Sequence, residues 1–341
     1  MGERALAFLQ GGLESAKGTN IAASRILMGR ITNASFERPR DFPEEDRGTL
    51  VAASRFNDGV KDYKFGIECE GVTFEQLGWF LASAVKGSVS PTTVNTTAYQ
   101  FTYTPQTTAS GDDLQAATIE FGDNTQEFES AYCEVDDFTL GFDTLKVGDV
   151  APVKATFNYV TSSLASNTKT AGLSSPTVET ILATNATFKL GPTSTAYASL
   201  SAVTASLRSF QLKWANNLGR KVFVGGTDTY SNIGRGRRVV TFDAMVEGDS
   251  NGVTRFTEWD LGTEKRLRLE FQGSVITSSS PARTKYFRID GRFVLTKFDP
   301  IGSVDTNTVF SLSGRFLPDT ALSDAEIQML LINGSEAAAY T

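Results

Sequence analysis

The chain has no histidine among its 341 residues. That excludes imidazole acid–base chemistry, the Ser-His-Asp triad and histidine-ligated metal centres. Its two cysteines, Cys69 and Cys133, are too few for a structural zinc site. Both fall among apolar neighbours in predicted strands and are expected to be buried, reduced thiols, with a single disulfide as the alternative. No apolar run approaches the roughly 20 residues that a membrane-crossing helix needs. The opening Met1-Gly-Glu-Arg-Ala-Leu-Ala-Phe-Leu9 carries an acid and too short an apolar core for a secretory signal, so folding in a cytoplasm is expected. Leu6 stands where a myristoylation motif requires Ser or Thr. There is no Gly-x-x-x-x-Gly-Lys-Ser/Thr loop, and the glycine-rich stretch Gly225 to Gly236 lacks the spacing and the following helix of a phosphate cradle. Basic charge is also in deficit. The 32 Lys and Arg stand against 39 Asp and Glu, a net charge of −7, which argues against a general nucleic-acid binder.

What the chain does have is glycine, small hydroxylated residues, β-branched and aromatic residues, and few long helical patterns. That composition predicts a mainly β protein of the sandwich or barrel kind. The length suits two domains, with enough buried surface to need no disulfide or metal. One β unit reads as written twice. Tyr63-Lys-Phe-Gly-Ile-Glu-Cys-Glu-Gly71 and the following Val72 to Trp79 are echoed by Val240-Thr-Phe-Asp-Ala-Met-Val-Glu-Gly248 and Val253 to Trp259. Each is an alternating strand, a Glu-Gly turn and a short helix carrying Phe and Trp. A second echo sets Asp136–Asp143 against Arg292–Asp299. Echoes about 155–180 residues apart imply two domains and no solenoid. The expected division is a first domain over 1–165, a Ser/Thr-rich linker over 166–180 and a second domain over 181–341.

Residues 1–24 read as an extended arm, and Arg25–Phe36 as the first strand. The mixed-charge, two-proline excursion Glu37–Asp58 excludes a central strand. Thr73 and Gln76 fit a capping box for a helix over about 74–86, with Phe74, Leu77, Phe80, Leu81 and Ala84 on one buried face. Further strands are predicted at Tyr99–Tyr103, Thr118–Phe121, Ser130–Phe142, Pro152–Val160, Ala186–Leu190, Ser209–Trp214, Val222–Val224, Arg266–Gln272, Tyr286–Phe298 and Val309–Phe316. Ser323-Asp-Ala-Glu326 reads as a second capping box, opening a helix to about Ile332 that Asn333-Gly334 stops.

Charge is uneven along the chain. From Asp112 to Asp149 eleven acids face Lys146 alone, whereas from Arg208 to Lys297 sixteen Lys or Arg stand against nine acids. Solvated strand faces explain this; so would acidic and basic patches that steer copies together. Asp136-Asp137 and Glu44-Glu45-Asp46 are candidate calcium ligands or glycosidase carboxylates, in a chain where adjacent acids arise readily by chance. Sequons such as Asn33-Ala-Ser35 and Asn185-Ala-Thr187 count only on a secretory route.

The stretch Gly12-Leu-Glu-Ser-Ala-Lys-Gly-Thr-Asn-Ile-Ala-Ala-Ser-Arg25 resembles the opening of tail tube proteins of long, non-contractile phage tails. The order that follows is also similar: charged excursion, strand, short aromatic helix, run of strands. The resemblance implies two tandem β-sandwich or half-barrel tube domains, each with a short flanking helix. It implies a non-enzymatic virion protein with no cofactor and no metal. Such subunits form rings that stack into a conduit for DNA, and a doubled domain implies three chains per ring in place of six. Implied partners are other copies of the chain, tape-measure, tail-tip and terminator proteins, and double-stranded DNA passing without specific binding. Implied location is the virion, after assembly in the host cytoplasm, with no membrane insertion. On this reading Glu120, Asp123, Glu127, Glu129, Glu134 and Asp136 are expected in an acidic lumen that repels phosphates. The Glu37–Asp58 and Leu218–Arg238 excursions, together with the N-terminal arm, are expected to bridge stacked rings through Arg38, Arg40, Asp41, Glu44, Glu45, Asp46, Arg47, Arg220, Lys221, Arg235 and Arg237. Alternatives are another virion or surface β protein (capsid, decoration or adhesin subunit), an outer-membrane porin, and a carbohydrate-active β-sandwich enzyme using Asp136 and Asp137.

Overall fold

The computed structural model describes residues 4–47, 53, 55–108, 114–144, 150–203, 207–224, 228–230, 232–276, 282–304, 307–334 and 340. It is mainly β, with 55% strand and two α-helices. Asp112, Asp113, Lys146, Asp149, Gly225 and Gly226 lie outside the described residues, as do 48–52 and 54 of the first excursion.

The first half runs β1 (Phe8–Leu13), β2 (Arg25–Ile26), β3 (Arg30–Glu37), the small hairpin of β4 (Arg40–Asp41) and β5 (Asn57–Asp58), β6 (Asp62–Cys69), α1 (Leu77–Ala84), β7 (Thr92–Asn95), β8 (Ala98–Tyr103), β9 (Ala117–Gly122), β10 (Glu127–Phe142), β11 (Lys154–Thr161) and β12 (Ala165–Ser166). The second runs β13 (Ala186–Pro192), β14 (Ser201–Ala202), β15 (Leu207–Ala215), a second small hairpin of β16 (Leu218–Lys221) and β17 (Asn232–Arg235), β18 (Val239–Glu247), α2 (Ser250–Asp260), β19 (Lys265–Ile276), β20 (Arg283–Val304), β21 (Asn307–Leu317) and β22 (Ile327–Asn333).

The pairings recur with the same logic in each half, and all are antiparallel. β3 pairs β6, β6 pairs β11 and β11 pairs the C-terminal half of β10. Likewise β15 pairs β18, β18 pairs β21 and β21 pairs the C-terminal half of β20. The N-terminal half of β10 turns into an outer sheet with β9, which pairs β1; that of β20 does so with β19, which pairs β13. Even a bulge recurs, between Val135 and Asp137 in β10 and between Leu295 and Lys297 in β20. Following these registers places Phe138 with Phe298, so the second sequence echo lies in the right strands but four residues out of register.

Between the halves the strand C-terminal part of β10 pairs β15, so one sheet of eight strands runs β3-β6-β11-β10-β15-β18-β21-β20. One apolar core spans both halves, from Leu9 to Tyr340. The outer sheet of the second half also takes β8 from the first, through β22. The 166–180 stretch is bound against the first half. Asn167 donates to Glu129 at 2.8 Å, Thr170 to Glu120 at 2.7 Å, and the N–H of Glu179 to Glu75 at 2.8 Å.

Several elements differ from expectation. The expected C-terminal helix is the strand β22, because Ile327, Met329 and Leu331 are buried between β20 and β8, and ladder pairing on both sides outweighs helix propensity. Ser323 and Asp324, read as a helix start, take left-handed backbone angles and turn the chain into that strand. The arm contains a buried strand, β1, whose small Gly11-Gly12 hid its strand character. α1 is shorter than 74–86. Thr73 does accept the Gln76 N–H at 3.3 Å, but the Gln76 side chain leaves the box to bond Ile26 and Met28. Val222–Val224 is not a strand, and the preceding Leu218–Lys221 is.

Candidate functional site: an internal joint and two open edges

The joint between the halves is closely fitted. Phe138 of β10 opposes Trp214 of β15, their rings stacked at 5.5 Å. The Trp214 indole donates to Asn216 at 2.9 Å, and the Asn216 amide donates to the carbonyls of Ala84 and Val135, each at 2.9 Å. Asn216 N–H donates to the Asp136 carbonyl and Leu218 N–H to the Asp136 carboxylate, both at 2.7 Å. Opposite Gln211, a Cβ on Gly141 would stand 2.1 Å from the Phe210 carbonyl, so the backbones approach more closely than any side chain at 141 allows.

The eight-stranded sheet ends differently. Among the described residues, β3 pairs with β6 alone, and Val294–Val304 of β20 with β21 alone. Both borders therefore present a row of backbone groups without a ladder partner.

One face of this sheet packs on the core and the other carries polar side chains around a depression of about 710 Å³, lined by Glu68, Thr139, Gln211, Asp243 and Ser313 among others. Acids and bases alternate there in contact. Arg30 meets Glu68 at 2.9 Å and Glu70 at 3.1 Å, Lys154 meets Asp143 at 2.7 Å, Lys213 meets Asp243 at 2.5 Å, and Lys297 meets Asp299 at 2.5 Å. The face is thus charge-balanced at short range.

Of the six carboxylates expected in an acidic lumen, three are sealed inside the fold and three are partly exposed. Glu120, Glu129 and Glu134 are buried. Glu120 accepts from Gln10 at 2.6 Å, from the Thr170 N–H and hydroxyl at 2.7 Å each, and from Ala23 N–H at 3.2 Å. Burial pushes its carboxyl up, yet those bonds together hold it below the usual Glu value. Glu129 accepts from Asn20 and Asn167, and Glu134 pairs with Lys17 at 2.5 Å. Glu127 accepts the Lys169 N–H at 2.9 Å, and Asp123 caps its own turn by accepting from Thr125 and Gln126. Asp136 is half-buried in the joint, its carboxyl raised by burial. A carboxylate sealed inside the fold cannot line a surface of this chain.

Glu120, Glu129 and Glu134 instead anchor the opening stretch. Glu14, which the charge reading passed over, is buried and accepts from Gly18 N–H at 2.6 Å, Thr118 at 2.9 Å and Tyr132 N–H at 2.8 Å. Glu14, Lys17, Asn20 and Ala23 all belong to the opening signature. The signature is a latch, closed by hydrogen bonds on β9 and β10.

Of the residues expected between rings, Arg38 and Arg220 are brought to the base of the two excursions, and Arg40, Asp41, Glu44, Glu45 and Arg47 make contacts within the first. Arg38 meets Asp58 at 3.0 Å and Asp228 at 3.4 Å, Lys61 meets Asp228 at 2.7 Å, and Arg220 pairs with Asp62. Arg40 pairs with Asp58 at 3.0 Å and lies over the Phe56 ring, Asp41 accepts from Asn57, and Glu44 bridges to Ala53. Glu45 takes Arg55 at 2.6 Å and Arg47 at 3.9 Å. Asp46, Lys221 and Arg237 are exposed and Arg235 half-buried. Apolar residues cap both excursions: Phe42 and Phe56 in the first, Val222, Phe223 and Val224 in the second. Among the described residues no group of three or more His, Cys, Asp or Glu is placed to hold a metal ion, and both cysteines are free and buried. No protein-family model matches the chain, and no curated protein matches its sequence.

Proposed function

We propose that this chain is the repeating subunit of a tube, built as two tandem copies of a tail-tube-type domain, and that three chains close into a pseudo-six-fold ring whose stacked copies conduct DNA. The observation that carries the reading is the internal joint. β10 and β15 already join one half to the next within the chain, while the corresponding borders, β20 and β3, are left open. Repeating the internal pairing between chains uses both borders and leaves none exposed, which is how a ring manages its edge strands. Equivalence of register then sets Phe298 opposite Phe36 of the partner subunit, as Phe138 sits opposite Trp214, and Lys297 opposite Glu37 of the partner subunit.

Three copies of an eight-stranded sheet make a barrel of twenty-four strands. At about 4.8 Å per strand its wall measures about 37 Å across before strand tilt widens it. The polar face of the sheet lines such a bore. Its paired charges give DNA phosphates neither a basic surface to release counterions against nor an acidic wall, so passage meets little binding. This lining replaces the acidic one expected from the sequence. The exposed apolar residues carried by the excursions suit contacts between stacked rings.

Native mass measurement and electron micrographs of the purified protein test the reading. Rings of about 110 kDa, three times 36.8 kDa, stacking into tubes of uniform width are expected. Solitary chains at every concentration and salt would overturn it.

A further inference from the structure

The two helices follow corresponding strands, yet their surroundings differ. Every residue of α1 is buried. First-half strands β8 and β10 pack on it, while the far half of the chain reaches the segment that leads into it and touches its first turn. The Tyr340 hydroxyl donates to the Glu75 carbonyl at 2.9 Å, Asn333 donates to the Phe74 carbonyl at 3.3 Å, and Lys285 pairs with Glu75 at 2.6 Å. The cover is in direct contact, since a Cβ on Gly78 would stand 2.2 Å from the Tyr340 ring. α2 is different. Val253 and Phe256, one turn apart on its surface, are 58% and 44% exposed, and Leu261 in the turn that follows it is 72% exposed. Beneath the stripe Phe256 contacts Trp259 and Phe298, and Phe298 contacts Phe310. An aromatic cluster thus reaches the surface beside the open border of β20.

At the other open border lies a groove of about 860 Å³. It runs between β1, Gly29 and the Arg30–Ile31 start of β3, the end of β9 and the 169–173 segment; Phe8, Leu27, Phe121 and Leu173 line part of its walls, and Arg30 and Lys169 stand at them as well. In the second half, the outer sheet of β13 and β19 is met by the segment that leads into α1. Phe74 lies against Gly273 of β19, and Thr73 bridges Thr180 just before β13.

We propose that α2 and the turn after it seat the exposed stripe of Val253, Phe256 and Leu261 in the groove beside β1 and β3 of a second copy of this chain. The inference rests on the ring reading above and adds to it a helix contact outside the bore. Two independent features favour this occupant. The exposed stripe and the groove sit at the two sheet borders that ring closure would bring together. The chain also seats the segment that leads into the first half's helix on the outer sheet of its second half, through Phe74 against Gly273 and Thr73 against Thr180. Apolar surface left open at one border is thereby removed from water at the other.

Thiol labelling separates this contact from the ring itself. Cys69 and Cys133 are buried, and burial pushes the Cys69 thiol up to about 12 and the Cys133 thiol higher still, so neither reacts readily. A Phe256→Cys variant, and independently a Val253→Cys variant, would be treated with a maleimide as dispersed chains and as assembled rings. Labelling at least tenfold slower in the rings is the expected result. Rings that form while both introduced thiols stay as reactive as in dispersed chains would overturn the helix contact and leave the ring standing. Failure of the unmodified chain to form rings would overturn both.

Discussion

Glu120 of β9 and Asp136 of β10 are both withdrawn from water, yet they behave in opposite ways. Glu120 is buried but receives four hydrogen bonds, which outweigh the burial and hold its carboxyl below the usual value. Its contribution to stability is therefore complete above the unfolded Glu value near 4.5 and is lost as the pH falls through the lower folded value. Asp136 is raised, first by burial and further by Asp137, against the single N–H of Leu218. Its ionised form is the disfavoured one. Glu120→Gln should cost about 2 kcal/mol near neutral pH, the scale of a buried hydrogen bond to a charged group, and should flatten the acid limb of the stability curve. Asp136→Asn keeps an oxygen for the Leu218 N–H and should be nearly neutral. Urea titrations of both variants from pH 3 to 7 check this; equal losses for the two would refute it. The acids were legible in the sequence as an acidic run. Their role was not, because a run of charge says nothing of whether the side chains meet water or the N–H groups of an arm more than 90 residues away in the chain.

At the scale of elements, the strands that alternate polar and apolar residues were legible. Leu207–Ala215 and Val239–Glu247 bury every second residue over most of their length, and the sequence shows it. Ile327–Asn333 was not legible, since Met, Leu and Ile in succession fit a buried helix as well as a buried strand, and the partners that decide, β20 and β8, lie far off in the chain. The charged excursion after β3 was visible from its prolines, but its meeting with the β16–β17 hairpin through Asp228 required the fold. The open borders carry their own prediction. If β20 meets β3 of a partner subunit in the register of the internal joint, Lys297 lies opposite the partner's Glu37. Lys297→Glu should then set like charges across a ladder and weaken ring closure at low salt, with Glu37→Lys in the same chain restoring it. The exposed setting keeps the pair worth about 0.2–1 kcal/mol, so ring formation near its midpoint concentration is the measurement to make. Equal impairment in the single and double variants would reject the register.

At the scale of the molecule, the recurring pairings and the continuous core pull in different directions. The same order of pairings appears in each half, yet β10–β15 and β22–β8 cross between the halves, and one apolar core serves both. Trp214, fully buried in the second half, stacks on Phe138 of the first, and Tyr340 packs on Phe101 at 4.9 Å. Neither half can keep those rings from water alone. Large aromatic side chains cost about 3–5 kcal/mol each when their packing is removed, which is comparable to the whole stability of many domains. Cutting the backbone where 174–175 is exposed should therefore not release two bodies. With a specific protease site placed between Ser174 and Ser175, the cut chain should run as two bands under denaturing conditions and still elute natively at the volume of the intact chain. It should unfold in one transition, at a lower temperature than the uncut chain because the two pieces gain freedom on unfolding. Separate native elution of a folded 1–174 fragment would show instead that the joint is a contact between self-sufficient units. The internal pairing would then be too weak a template for closing a ring.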